Sequence, residues 1–467
     1  MSVLLLSLAP AAADPAAPTS VTEALRMATG LAPAAPAPRT ATLAELVAQA
    51  DARLGVARDP TELRALEALD PRLADVAADL LAALLDAAAE RDAAYAGVTN
   101  AEIAALADAD EPTPEALALL ARIDAARVRV AAMRLAGAVD AATPRLQALA
   151  RELAPPAAHA STLAPAPLVD IFPVLGIDPL GVSNVFPHDY VLSIDLGGND
   201  VYDNNAGGSI LFGRGFILGD SSTFGPQIPF TGLTMGGEYE DAAESYTATL
   251  AIDVAGDDTY GVYKEPSRKG GSRDHLCTNG PLIRRIVVQG SGSGGIGMLV
   301  DLAGNDQYRG KTLAQGNGHV SGVGVLFDAD GDDRYTAIRS AQGSSVLQGV
   351  GVQVDLRGDD VHEMKSPVGG IWNVDRGRCD ATERLAMGAS VIQGASLFVD
   401  AAGNDRYDVD AQALGHIDAI AAFGTFWELG GVDDYGGFPG RGNGVRLVTT
   451  SGVGAAPAGV GVFNDAE

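Results

Sequence analysis

From Tyr190 onward the chain alternates with a period of two. Before Asp301, Asp328 and Asp355 the apolar positions are Ile296, Met298 and Val300, then Val323, Val325 and Phe327, then Val350, Val352 and Val354. Between and before them stand small residues: Gly295 and Gly297, Gly322 and Gly324, Gly349 and Gly351. Such alternation predicts short, half-buried strands. Each strand runs into one phrase, Asp-x-x-Gly-(Asn/Asp)-Asp-x-Tyr, which starts at Asp195, Asp253, Asp301, Asp328, Asp355 and Asp400, and with Glu at Glu428. The closest starts are 27 residues apart, and the wider gaps hold insertions or worn copies. That period is too short for a four-stranded propeller blade, and the Leu-x-x-Leu-x-Leu pattern of leucine-rich repeats is missing. It predicts a parallel β-solenoid, or β-helix, over residues 189–467, with coils of about 27 residues and equivalent positions stacked about 4.8 Å apart.

The first third of the chain has a different period. Residues 42–153 are rich in Ala, Leu, Arg and Glu, with Val76, Leu80, Leu81, Leu84 and Leu85 at helical spacing. Thr42 with Glu45 and Asp59-Pro60 with Glu62 read as capping boxes, and Asp70-Pro71 and Thr113-Pro114 place Pro in a first turn. Four or five antiparallel helices are expected. The fold class is therefore α and β in separate domains: an Ala-rich N-terminal helical bundle, then the β-solenoid. Residues 14–41 and 154–188, rich in Ala and Pro, read as linkers, the first holding a short helical candidate after Ser20. Residues 1–13 resemble a secretory signal peptide, with Leu4–Leu6 in a short apolar run and Ala11–Ala13 suited to cleavage; the alternative is a frayed cytoplasmic terminus. The first reading places the protein in a secreted, periplasmic or cell-surface setting. No run approaches the length of a membrane span.

Charge narrows the partners. A formal net charge of -28 and a pI near 4.4 argue against nucleic acid, whose phosphates need clustered cations. Two cysteines exclude a scaffold built on disulfides. No Gly-x-Ser-x-Gly elbow, phosphate-binding loop, His-Glu-x-x-His or dinucleotide fingerprint is present.

Stacking the repeats makes columns. One is aromatic: Tyr202, Tyr260, Tyr308, Tyr335, Tyr407 and Tyr435, with His362 in one repeat. Another is Gln315 and Gln342, read as an amide ladder pairing side chains between coils. Two are acidic, at position zero and five residues on: Asp195 and Asp200, Asp253 and Asp258, Asp301 and Asp306, Asp328 and Asp333, Asp355 and Asp360, Asp400 and Asp405. Carboxylates about 4.8 Å apart repel by roughly 3.5 kcal/mol at an effective dielectric of 20. Either each Asp caps its own turn, as Asp does beside Gly, or Ca²⁺ lies between coils.

Gly304-Asn305-Asp306-Gln307-Tyr308, Gly403-Asn404-Asp405-Arg406-Tyr407 and Gly198-Asn199-Asp200-Val201-Tyr202 resemble the second half of the haemolysin-type, repeats-in-toxin nonapeptide. The resemblance implies a calcium-binding β-roll in a secreted protein, and hence Ca²⁺ as cofactor; the two acid columns make the twelve aspartates above its candidate ligands. It covers about six residues per repeat, once every 27 rather than every nine.

Two insertions interrupt the repeats after the Tyr position, at residues 264–285 and 365–384. They carry Lys264, Lys269 and Lys365, three of the four lysines, and seven arginines. Loops leaving one edge of a solenoid often form its binding face. Arg268, Lys269, Arg273, Arg376 and Arg378 are candidates for holding carboxylates, and Trp372 for stacking on a sugar ring. Cys277 and Cys379 lie one in each insertion and are expected to pair. The function expected is an exported, calcium-associated surface, matrix or ligand-binding protein whose partner is an acidic polysaccharide or cell-surface component. The alternative is a carbohydrate-active β-helix enzyme, a lyase or hydrolase.

Overall fold

A computed structural model describes residues 16–99, 102, 106, 113–153, 168–209, 246–261, 263–264, 282–283, 286–338, 340–364, 371–373, 378–380, 385–409, 413–418, 421–436, 445–451 and 459–466. Helices come first: α1 (Val21–Thr29), α2 (Leu43–Leu54), a 3₁₀ turn (Glu62–Ala68), α3 (Pro71–Ala94), α4 (Pro114–Leu120) and α5 (Ala125–Leu153). Their starts follow local chemistry. Thr42 and Glu45 close a full capping box, Thr113 accepts from Ala116 N, and Asp70 accepts from Arg72 N ahead of Pro71. The capping box expected at Asp59 differs: Asp59 accepts from Thr61 N and the segment stays a 3₁₀ turn.

Parallel-rich sheets follow. The repeats cross three of them in fixed order. One repeat runs from Ile296–Asp301 in an 11-stranded sheet, through Gln307–Arg309 in a seven-stranded sheet, to Gly318–His319 in a five-stranded sheet. It then re-enters the first sheet as Val323–Asp328, which pairs with Ile296–Asp301 residue for residue. The register that puts Asp301 beside Asp328 and Tyr308 beside Tyr335 holds along the array. Antiparallel strands close both ends of the first sheet, at Val169–Ile171 and Arg446–Ser451.

The glycine before each acid pair is dictated by close approach. A Cβ on Gly331 would lie 1.5 Å from Gly304 O, and one on Gly358 would lie 1.6 Å from Gly331 O. Backbones of successive repeats meet there, so no side chain fits.

The two faces of the first sheet divide differently from the usual strand. Ile296, Met298, Val300 and their counterparts share one continuous apolar core with the helices. Leu299 and Leu326 point the other way and pack with Tyr308 and Tyr335. Small residues such as Gly324 face that inner side, where a Cβ would meet Asn317 O at 2.1 Å. The helices therefore do not form the separate domain expected from sequence. α3 lies on Leu192–Asp195, Ala248–Asp253 and Ile296–Asp301, α5 on Val323–Asp328, and α1 on Val350–Asp355 and Ala395–Asp400. The alternating strand has two candidate faces and the sequence does not say which one turns inward.

Polar contacts fasten the layers. Arg91 Nε donates to Gly294 O at 2.6 Å, Tyr95 Oη to Val320 O, and Arg129 Nη2 to Gln348 O at 3.1 Å. The segments read as linkers also take part. α1, inside 14–41, buries Val21, Ala24 and Leu25. Residues 168–188 supply the strands Val169–Ile171, Leu175–Asp178 and Val185–Phe186, so the repeats begin before residue 189.

A chain cut to residues 168–467 would expose Ile296, Met298, Val300, Val323, Val325, Phe327, Val350, Val352 and Val354 together, each worth about 1.5–3 kcal/mol of burial. It is expected to aggregate in size-exclusion chromatography where the full chain does not. A soluble monomer of the fragment would show that the helical layer is dispensable.

Candidate functional site

All twelve aspartates singled out in the sequence lie inside the array. Asp195, Asp301, Asp328, Asp355 and Asp400 are 0% exposed, and Asp333, the most exposed of the twelve, reaches 2%. Position zero ends a strand of the first sheet, so its side chain turns inward at the corner. Its Oδ1 caps the turn that follows, accepting from Gly197 N at 2.9 Å for Asp195 and from Ala255 N at 3.1 Å for Asp253. Its Oδ2 meets the aromatic column. Tyr202 Oη lies 3.0 Å from Asp195 Oδ2 and 2.5 Å from Asp253 Oδ2. Tyr308 Oη lies 3.0 Å from Asp301 Oδ2 and 2.6 Å from Asp328 Oδ2. The column is a continuous stack, with ring centroids 4.6 Å apart for Tyr202 and Tyr260, 4.7 Å for Tyr308 and Tyr335, and 4.6 Å for Tyr335 and His362. Phe186 extends it at 4.6 Å from Tyr202. Burial holds His362 down to about 3, so a neutral imidazole occupies that place.

The second acid row bonds sideways. Asp258 N donates to Asp306 Oδ1 at 2.5 Å, Asp306 N to Asp333 Oδ1 at 2.6 Å, Asp333 N to Asp360 Oδ1 at 2.6 Å, and Asp360 N to Asp405 Oδ1 at 2.6 Å. Each carboxylate thus reaches back one repeat. The other oxygen, Oδ2 of Asp200, Asp258, Asp306, Asp333, Asp360 and Asp405, is buried and has no hydrogen-bond donor among the described residues. Oδ1 of Asp301 and of Asp400 is in the same condition. These atoms converge: Asp258, Asp301 and Asp306 offer carboxylate oxygens within 4.8 Å of one another, and so do Asp306, Asp328 and Asp333.

Burial first, and neighbouring carboxylates second, push the row far up. Asp306 rises to about 8, chiefly from loss of solvent and then from Asp328; Asp333 rises to about 12 from loss of solvent, then Asp328 and Asp355. Asp200 and Asp360 rise to about 8 and Asp405 to about 7, again from burial before charge. Asp195, Asp301, Asp355 and Asp400 lie well above the usual carboxylate range.

The glutamine column differs from the expected amide ladder. Gln315 Nε2 donates to Tyr308 O and Thr336 O, both at 3.1 Å, and Gln289 Nε2 to Tyr260 O at 2.9 Å. The amides bridge to backbone of the aromatic strands instead of to one another, because each Gln backbone sits at positive φ and aims its side chain across the interior.

Sequence reasoning missed three members. Asp178 pairs in register with Asp195 and belongs to a triple with Asp195 and Asp200. Its Asp-x-x-Gly opening was visible, but in the paired register Asn184 stands at the place of the second acid, one residue later than the offset predicts. Gln289 and Asp465 complete other columns; Tyr435 Oη donates to Asp465 Oδ2 at 2.8 Å.

Both insertions begin between the seven-stranded and five-stranded sheets. Tyr263–Lys264 pairs antiparallel with Leu282–Ile283, and Ile371–Asn373 with Arg378–Asp380. Trp372 is paired with Cys379 on that second hairpin. Arg268, Lys269, Arg273, Cys277 and Arg376 lie outside the described residues, as does the signal-like segment 1–13.

Two outcomes are expected. For a carboxyl group whose folded pKa is raised, the folded state holds the proton after the unfolded chain has released it, so the stability it adds is full below about pH 4 and is lost as pH rises. In cation-free buffer the melting temperature should fall as pH rises from about 4 to about 8, the range set by Asp200, Asp306, Asp360 and Asp405. A flat or rising profile would mean that these acids are already ionised in the fold. Tyr308→Phe keeps the ring stack but strips Asp301 and Asp328 of a donor. It should cost about 1–3 kcal/mol in denaturant unfolding, whereas an unchanged midpoint would make the hydroxyl an idle neighbour. Comparison of the chain with known protein families, with curated proteins and with solved structures found no match, so the functional reading rests on this geometry.

Proposed function

We propose that the repeats wind as a parallel β-solenoid and that the protein is an exported, calcium-associated surface, matrix or ligand-binding protein. The ligand-facing side is the edge bearing the two insertions, and an acidic polysaccharide is the partner whose chemistry fits. The observation that carries the reading is the common exit point. Hairpins at Tyr263–Lys264 and Ile371–Asn373 leave the array between the same two sheets, three repeats apart. The two insertions hold most of the lysines of a chain with net charge -28. An anion approaching an acidic body is attracted there and repelled elsewhere. Arg268, Arg273, Arg376 and Arg378 supply forked donors for carboxylates, and Trp372 a flat surface for a sugar ring.

The alternative, glycan cleavage by a pair of aspartates, is the less favoured. General acid and base must reach the scissile bond. The twelve aspartates singled out in the sequence are at most 2% exposed and are joined to backbone or tyrosine donors.

Binding to acidic and neutral polysaccharides is the test, with the wild type beside a variant in which Arg268, Lys269, Arg273, Arg376 and Arg378 are changed to Ser. The variant should lose at least about tenfold in affinity for the acidic glycan, the equivalent of about 1.4 kcal/mol. Wild-type binding should weaken as salt rises and the Debye length falls from about 10 Å to about 3 Å. Equal binding by both proteins would reduce the insertions to loops that balance charge.

A further inference from the structure

We propose that the two acid rows together form a file of sites for a divalent cation of calcium's class, one in each gap between neighbouring repeats, with single aspartates shared by adjacent sites. This rests on the calcium-associated reading above and deepens it by naming the ligands. Among the described residues, the triples of carboxylate oxygens gathered within 4.8 Å include Asp178, Asp195 and Asp200; Asp258, Asp301 and Asp306; Asp306, Asp328 and Asp333; Asp333, Asp355 and Asp360; Asp360, Asp400 and Asp405. Every member is buried.

Proximity of acids alone would say little. The second observation is the hydrogen-bond inventory. Every carboxylate of the second row from Asp258 to Asp405 has its Oδ1 bound to the neighbouring repeat's N–H, and its Oδ2 buried without any donor. Asp301 Oδ1 and Asp400 Oδ1 add unpartnered oxygens to the same triples. A buried acceptor with no donor is costly, and a file of them is answered either by protons shared between facing carboxyls or by cations held between them.

Ligand type and charge select the ion. Carboxylate oxygens suit a hard cation, and calcium takes about six to eight oxygen ligands in flexible geometry, whereas magnesium demands near-octahedral order and keeps its waters. Each repeat from Asp253 to Asp405 brings one acid at position zero and one at the fifth place, hence two negative charges, which one divalent cation neutralises. The position-zero Oδ2 atoms stay with the tyrosines, so a cation in the gap does not compete with that column.

Sharing gives the test its edge. Of these triples, Asp306 belongs to two and Asp301 to one. In full-length protein stripped with chelator and dialysed against Ca²⁺ alone, Asp306→Asn should lower bound calcium by two ions per chain and Asp301→Asn by one, Asn retaining an amide oxygen as acceptor. No calcium on the wild type would overturn the calcium-associated reading and this assignment together, leaving the carboxyls to hold protons. Calcium bound in equal number by wild type and both variants would overturn this assignment alone. If a variant fails to fold, the wild type still decides through terbium. Tyr308 Oη stands 3.0 Å from Asp301 Oδ2 and 2.6 Å from Asp328 Oδ2, so terbium in these gaps should emit on tyrosine excitation and lose that emission as Ca²⁺ is added. Terbium bound without tyrosine-sensitised emission would overturn the assignment.

Discussion

The fold depends on which way the first sheet turns its apolar face. A strand of alternating Val and Gly can place either set toward the turn of its own repeat. Here the Gly side faces in, because the backbone of the five-stranded sheet passes so close that Gly297, Gly324 and Gly351 would each put a Cβ about 2 Å from a carbonyl oxygen. The apolar side is therefore left outside, repeated along the array. A flat apolar surface of that extent cannot face water. The helical layer is the cover it requires, which explains why the chain opens with Ala-rich helices: small residues such as Ala77, Ala78 and Ala132 let the helices lie close to the sheet and to one another.

Turning the hydrophobic face outward leaves the interior to polar chemistry. Three kinds of column fill it, and each satisfies the others. Tyrosine hydroxyls donate to position-zero carboxylates, glutamine amides donate to the carbonyls of the tyrosine strands, and the second acid row accepts from its neighbours' amides. Such a network is stiff because each partner lies in another repeat. It is also exposed to charge imbalance, since among the described residues no Lys or Arg side chain of the array is buried, while its buried acids run from Asp178 to Asp465. Protons or cations must then set its charge, and that choice is what makes the interior a candidate site instead of an ordinary core.

Much of this was legible in the residues. The period, the register, the tyrosine stack with His362 standing in, and the two acid rows all follow from one residue type recurring at a fixed offset. Offsets survive folding unchanged when strands pair in register. What was not legible depends on a third dimension. The alternation of Val325 with Gly324 specifies two faces but not their destinations. Gln315 could reach Gln342 or a backbone carbonyl with equal ease until its positive φ is known. Asp178 escaped because its repeat carries Asn184 and Phe186, each one residue late, where the others carry Asp and Tyr, so only its first four residues keep the grammar. The insertions contributed charge and composition to the reading, and composition alone does not place side chains.

The substitutions that the repeats themselves tolerate separate the columns by what each must supply. The aromatic column admits His362, which keeps a flat ring at 4.6 Å from Tyr335 and a nitrogen 3.3 Å from Asp400 Oδ2. Position zero admits Glu428, whose longer side chain still meets Tyr407 Oη and still caps its own turn through Gly430 N. Both columns thus need a function that a different side chain can fulfil. The fifth place is Asp in all seven repeats from Asp200 to Asp433. Accepting one amide hydrogen bond would not impose that, since Asn offers the same oxygen at the same reach. What Asn lacks is a second oxygen carrying charge, and in Asp306, Asp333 and Asp360 that is the atom with no hydrogen-bond partner, in the gap between repeats.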